Sequence, residues 1–189
     1  VSVWRHVCAI ALLPGTVAVV IPAIILAAGH GPDPGWGTEQ LPTALLVAAG
    51  VGLITTGLAM WLWTVRLFAR IGKGTLAPWD PPRHLVVEGP YRHVRNPMIS
   101  AVLAVLMGEG LAFGSSAILI EAAVFVAVNW AYFVLHEEPG LEKRFGDEYR
   151  AYKRAVPRWL PRRAPWAPPR PQADAATRPP PLDPGPDRP

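Results

Sequence analysis

Apolar residues in this chain gather in long, uninterrupted runs instead of alternating with polar ones. Residues 7–29 carry no charge, and neither do residues 41–65. Each run exceeds the roughly 20 residues that cross a hydrocarbon core of about 30 Å. Backbone groups find no water partner in lipid, so such runs are expected to be helices. A third apolar run, residues 98–135, is interrupted by Gly114, Ser115 and Ser116. As one helix it would extend about 57 Å at 1.5 Å per residue, which suits two shorter crossings joined by a tight turn. The pattern predicts an all-α integral membrane protein with four transmembrane helices, at about 7–29, 41–67, 98–113 and 117–135. Arg5 and the Ala27-Ala28 pair would also suit a signal peptide, but the first apolar run is well beyond the usual 7–15 residues of such a segment.

The pattern changes after the fourth run. Leu141, Phe145, Tyr149, Tyr152 and Val156 recur every three or four residues, with charged side chains between them. This predicts a C-terminal amphipathic helix at about 138–156, packed back on the protein or lying in the interface. Pro157 ends it. Residues 161–189 include 11 prolines and read as a disordered tail, leaving 1–160 as one membrane domain. Between the second and third helices, residues 71–96 hold Pro78, Pro81, Pro82 and Pro90 but also Trp79, Leu85, Val86, Val87 and Tyr91. Too proline-rich for a helix and too apolar for disorder, this stretch is expected to be an ordered cytoplasmic loop that acts as a lid.

Charge placement sets the orientation. The 18 Lys and Arg residues fall before the first helix, between the second and third, and after the fourth. Residues 30–40 and the Gly114 turn have none. The positive-inside rule then places both termini and the long loop in the cytoplasm. Richness in Ala, Arg, Pro and Gly suits a GC-rich bacterial gene, so the membrane expected is a bacterial cytoplasmic one. The basic residues read as membrane-face anchors, and no nucleic-acid-binding motif interleaves them. Cys8 is the only cysteine; it reads as packing, and no metal-binding spacing is present.

Inside the runs a few positions stand out. Pro14 and Pro22 should kink the first helix. Ala48 and Gly52, one turn apart, would admit a close neighbouring helix. Glu109, flanked by Gly108 and Gly110, is an ionisable group at membrane depth and so a functional candidate, a speculative base. Glu121 reads as structural, and Asn129 as an interhelical hydrogen-bonding group.

The richest chemistry lies at one membrane face. His84, Tyr91, His93, Arg95 and Asn96 precede the third helix, and Glu137 and Glu138 end the fourth. The hairpin brings these two ends together. Acceptors, donors and apolar walls in one place suit a zwitterionic ligand with a cationic centre. A salt-bridged face, Arg95 with Glu137 or Glu138, would produce the same clustering. On the residues alone both readings stay open.

The ordered set GPYRHVRNPM, then GEG, then EE, L, FG, EY, Y and VPR, from about 84 to 161, resembles the membrane-embedded methyltransferases. That group includes isoprenylcysteine carboxyl methyltransferase and phosphatidylethanolamine N-methyltransferase. The resemblance implies S-adenosylmethionine as cofactor, bound at the cytoplasmic face, and a methyl acceptor entering from the bilayer: a lipid or an isoprenoid-like molecule. It places cofactor contacts on Arg83, His84, Leu85, Val86, Tyr91, Arg95, Asn96, Pro97, Gly108, Gly110, Glu137 and Glu138, with no metal. Two positions depart from the pattern. Ile99 stands where a Tyr is typical, and Phe133 where the prenylcysteine enzymes carry an Arg that helps bind the acceptor. A nicotinamide-dependent reductase of the related sterol-reductase type, or a non-catalytic membrane scaffold, are the competing readings.

Overall fold

The computed structural model describes residues 11–33, 36, 43–67, 70–71 and 85–167. Cys8, half of the expected lid (72–84, with the proposed contacts Arg83 and His84) and residues 168–189 of the expected tail lie outside the described residues. Among the described residues every regular element is helical. A wide-turned stretch Ala11–Val20 runs into α1 (Ile21–Ala27), and then come α2 (Thr43–Leu67), α3 (Pro97–Phe113), α4 (Ser116–Tyr132) and α5 (Glu138–Ala155). A single 3₁₀ turn, Gly89–Arg92, precedes α3. Two helical stretches, Thr43–Leu67 and Ser116–Ala155, are long and apolar enough to cross a bilayer; Pro14–Ala27 and Pro97–Phe113 are apolar but shorter.

The α2–α3 contact is the most extensive in the fold, and small residues make it close. A Cβ on Gly50 would lie 2.6 Å from the Gly108 carbonyl oxygen, and one on Gly108 would lie 2.6 Å from that of Gly50. Seven residues on, a Cβ on Gly57 would meet the Ala101 carbonyl oxygen at 2.7 Å. The pairing 50 with 108 and 57 with 101 makes the helices antiparallel, with their backbones almost touching. The expected close face was a different one: Ala48 and Gly52 are exposed, with nothing near the Gly52 backbone. Leu106, Val102 and Ala122 form the buried centre between α3 and α4.

Both ends of α3 follow from local sequence. Pro97 occupies the first helical position, where its missing N–H costs nothing. Gly114 closes the helix with φ 65°, the left-handed cap that glycine adopts without strain. At this end the Ser115 hydroxyl donates to the His30 carbonyl (2.6 Å), Asp33 N–H to the Gly114 carbonyl (2.8 Å), and Ser116 N–H to the Asp33 carboxylate (2.7 Å). The 30–36 loop and the 114–116 turn thus share one end of the bundle.

At the other end α4 does not stop. It passes through a wide π-helical turn, Phe133–Glu137, into α5. Pro139 explains the turn: it has no N–H and would collide with the carbonyl four residues back, so the helix must widen just before it. Glu138 N–H accordingly bonds five residues back, to the Phe133 carbonyl. Within α5, Gly146 (φ 53°) breaks the helical path. Tyr149, Tyr152 and Val156 are buried against Leu85, Val87, Leu141, Phe145 and Trp166, so the amphipathic helix packs back on the protein.

The chain beyond α5 stays with the fold as far as Ala167. Arg95 N–H donates to the Pro157 carbonyl (2.9 Å), Arg162 N–H to that of His93 (3.0 Å), and Trp166 N–H to that of Arg92 (2.9 Å). Residues 157–167 form a strap laced to the 92–95 loop. The first residues assigned to the tail by composition, 161–167, are held because Trp166 packs against Tyr152, with ring centroids 5.3 Å apart and planes inclined at 57°.

Candidate functional site

Glu138 is the centre of the loop-bearing end. Its Oε1 accepts from Arg95 Nη1 (2.7 Å) and from Arg158 Nη2 and Nε (2.6 and 2.9 Å), while its Oε2 pairs with Lys153 (3.0 Å). Lys153 also reaches Glu142 (2.7 Å). The Arg95 and Glu138 side chains are only 10% and 8% exposed. Burial alone would raise the Glu138 pKa, but the hydrogen bonds from Lys153 and Arg158 and the Arg95 charge outweigh it and hold the carboxyl below its ordinary range. The salt-bridged reading of this face is therefore correct for Glu138. It joins three segments: the loop before α3, α5 and the strap.

Glu137, one residue earlier, is the opposite case. No hydrogen bond or ion pair reaches its carboxylate among the described residues. Burial, and then the charge of Glu138, push its pKa up to about 7. A second group nearby is also unspent: Arg95 Nε is buried with no hydrogen-bond partner, although the same guanidinium holds Glu138. One saturated carboxylate is thus flanked by a free acceptor and a free donor. Tyr91 is buried close by, and its phenol stays protonated, its pKa raised by burial and by the charges of Tyr152 and Glu137. The Tyr91 carbonyl accepts from the Tyr152 hydroxyl at 2.6 Å.

The other expected contacts divide. Asn96 and Pro97 sit beside Arg95, Asn96 half-buried and Pro97 buried. Val86 is buried and Leu85 packs on the Tyr149–Tyr152 cluster, so both serve the hydrophobic support under the loop. Gly108 and Gly110 are not at this end. Gly108 faces Gly50, and a Cβ on Gly110 would meet Leu119 of α4 at 2.4 Å; both glycines work in helix packing. Gly108 lies about 16 Å along α3 from Pro97 at 1.5 Å per residue. Glu109 is equally remote: its Oε2 and both carboxylate oxygens of Glu121 are buried without partners, away from the acid pair. Asn129 donates to Phe125 in its own helix (2.8 Å), not to a neighbour. Phe133 is buried with its ring 6.1 Å from that of Trp159, and Ile99 is half-buried.

Sequence reasoning did not assign Arg158, Lys153 or Trp166 to the site. Arg158 stands in the VPR element, and that proline-interrupted motif was the available signal that the chain turns back at this point.

A helical protein with lipid-compatible surfaces and polar chemistry concentrated at one end is the class this architecture defines. Leu45, Ile120, Val124 and Val128 are each more than half exposed, an apolar surface that water would not tolerate. The sequence model of the phospholipid methyltransferase family matches residues 45–148, more than half of the chain. The chain belongs to that family of membrane methyltransferases. An uncharacterized protein of Haemophilus influenzae is 38% identical over 63 residues, which are 33% of this chain and 100% of that protein. No solved structure matches.

Proposed function

We propose that this protein transfers a methyl group from S-adenosylmethionine to a lipophilic acceptor at the cytoplasmic face of a bacterial membrane. The chain would cross the bilayer four times, with both termini and the 85–96 loop inside. The observation that carries the reading is the pair of unspent groups beside Glu138. A half-buried acceptor at Glu137 and a buried donor at Arg95 Nε match the ammonium and carboxylate of an amino-acid moiety, with Tyr91, Asn96 and Pro97 as neighbouring wall. The sequence proposal of Arg83 and His84 as further wall stands beside it. Gly108, Gly110 and Glu109 stand well along α3 from this pair, and the reading rests on the loop-end groups alone.

S-adenosylmethionine supplies a methyl already activated on a sulfonium. The protein's task is then to bind, orient and exclude water. Holding two reactants in line is worth roughly 7–11 kcal/mol. Glu138 keeps Arg95 in place so that its remaining N–H points at ligand, and Glu137 contributes charge when ionised. The basic side chains support the proposed sidedness: Arg92, Arg95, Arg158 and Arg162 gather at the loop end, whereas residues 30–33 and 114–116 include none.

Titration calorimetry on the detergent-solubilised protein tests this. S-adenosylmethionine should bind, and Glu137→Gln should weaken it by about tenfold or more, the scale of a charge-assisted hydrogen bond. Below about pH 7 the wild-type affinity should fall as Glu137 takes up a proton. No binding to the wild type, or equal binding by Glu137→Gln, would overturn the assignment.

A further inference from the structure

Beside the 89–94 loop lies a cleft of about 550 Å³ whose described lining includes neither Tyr91 nor Glu137. Met60 and Trp63 of α2 form one wall, Ser100 of α3 another, and Trp159 of the strap a third; Arg92 and His93 supply its polar groups. None of its described lining residues is acidic. Glu88 is adjacent in sequence but exposed and outside the lining.

The two basic side chains are already oriented by the strap. Arg92 Nε donates to the Trp166 carbonyl (2.6 Å), and His93 Nδ1 is hydrogen-bonded to the Arg162 carbonyl (2.8 Å). A carbonyl only accepts, so His93 Nδ1 carries the proton and Nε2 is the ring nitrogen left over. Both Arg92 terminal nitrogens lack a partner among the described residues. A guanidinium anchored through Nε, with its Nη atoms free, presents a preset donor fork for a phosphate. The cleft is also continuous with apolar surface: Trp63 is 53% exposed on α2, next to Leu62 at 44%. Indoles at such a boundary favour the headgroup level of a bilayer.

We propose that this cleft binds the phosphate of a membrane phospholipid, anionic headgroups best, with the acyl chains lying along the Met60–Trp63 face of α2. Charge complementarity at Arg92 and continuity with the lipid-facing helix select a lipid over a soluble ligand. The site is separate from the acid pair and does not depend on the methyl-transfer reading.

Native mass spectrometry of the delipidated protein in detergent, with phosphatidylglycerol, phosphatidylcholine or glycerol phosphate added, tests it. Phosphatidylglycerol should be retained over phosphatidylcholine, and glycerol phosphate should not displace it at equal concentration. Arg92→Gln should weaken retention about tenfold, as loss of a charge-assisted fork does, while S-adenosylmethionine binding persists. Glu137→Gln should leave phosphatidylglycerol retention unchanged. Met60→Trp, which fills the cleft from α2 and leaves the Arg92 and His93 anchors to the strap in place, should also lower retention and decides the matter if Arg92→Gln misfolds. Wild-type retention by Met60→Trp, no preference for the anionic lipid, or displacement by glycerol phosphate would overturn the proposal.

Discussion

The two adjacent glutamates should respond in opposite ways to the same substitution. Glu138→Gln removes the partner of Arg95, Arg158 and Lys153, and leaves the Arg95 guanidinium buried without its counter-charge. Breaking a buried pair in this way costs about 3–5 kcal/mol. Glu137→Gln removes a charge that the fold already disfavours. Its pKa is raised from 4.5 to about 7; at 1.36 kcal/mol per unit, the ionised form is disfavoured by up to about 3 kcal/mol. The pH dependence follows from the directions of these shifts. Glu137 binds its proton more tightly folded than unfolded, so wild-type stability falls as pH rises from about 4.5 through 7. Glu137→Gln should therefore match the wild type near pH 4.5 and exceed it at pH 8. Glu138 has a lowered pKa, so its contribution is present above the unfolded carboxyl range and is lost as pH falls through the folded value. Glu138→Gln should be destabilised at pH 8, with the gap closing in acid. Thermal melts followed by tryptophan fluorescence in detergent would read this, at about 2–4 °C per kcal/mol for a chain of this size. Equal destabilisation of both variants at pH 8 would refute the division of labour between the two carboxylates. A Glu137→Gln protein that is more stable yet binds its ligand worse would show the trade-off expected of a site held under strain.

Two further outcomes are expected. Gly50→Ala forces a methyl to within 2.6 Å of the Gly108 carbonyl and should lower the melting temperature by several degrees, whereas Gly52→Ala, with open space around it, should leave it unchanged or slightly higher. Tyr152→Phe deletes the 2.6 Å hydrogen bond to the Tyr91 carbonyl; its loss should cost about 0.5–1.5 kcal/mol, and proteolysis should cut the 89–95 loop faster.

Much of the helical plan is legible in the chain. Apolar runs, Pro97 and Gly114 fix the ends of α3 to within a residue, because caps and breakers act locally. The meeting of Arg95 with the acid pair is legible as well, since a hairpin of equal arms must return to its starting end. What sequence does not show is the rotation of each helix. Gly50 and Gly52 are both small, and only the partner decides that Gly50 packs. The same applies to Gly108 and Gly110, whose family-like spacing suggested cofactor contact while their backbones face Gly50 and Leu119. The unequal fates of Glu137 and Glu138 were also hidden, because the cations that separate them come from α5 and from a strap whose proline content reads as disorder. Arg158 and Trp166 help to hold that strap, through an ion pair and an aromatic contact that, like its backbone bonds to the 92–95 loop, leave no periodic trace.

The lacing of residues 92–95 to residues 157–166 has a consequence for biogenesis. The turn within residues 88–94 closes on its own backbone, but the three bonds that lace it to the strap are completed by chain made later, and Trp166 follows Asn96 by 70 residues. At a synthesis rate of about 5–20 residues per second, the loop waits roughly 4–14 s for its partner. Until residues 138–158 have been made, Arg95 and Tyr91 stand at the membrane face without Glu138, Tyr152 or Arg158. The site thus acquires its shape after the helices that carry it, and a ribosome stalled before Trp166 would leave a bundle already inserted but with its loop unlaced.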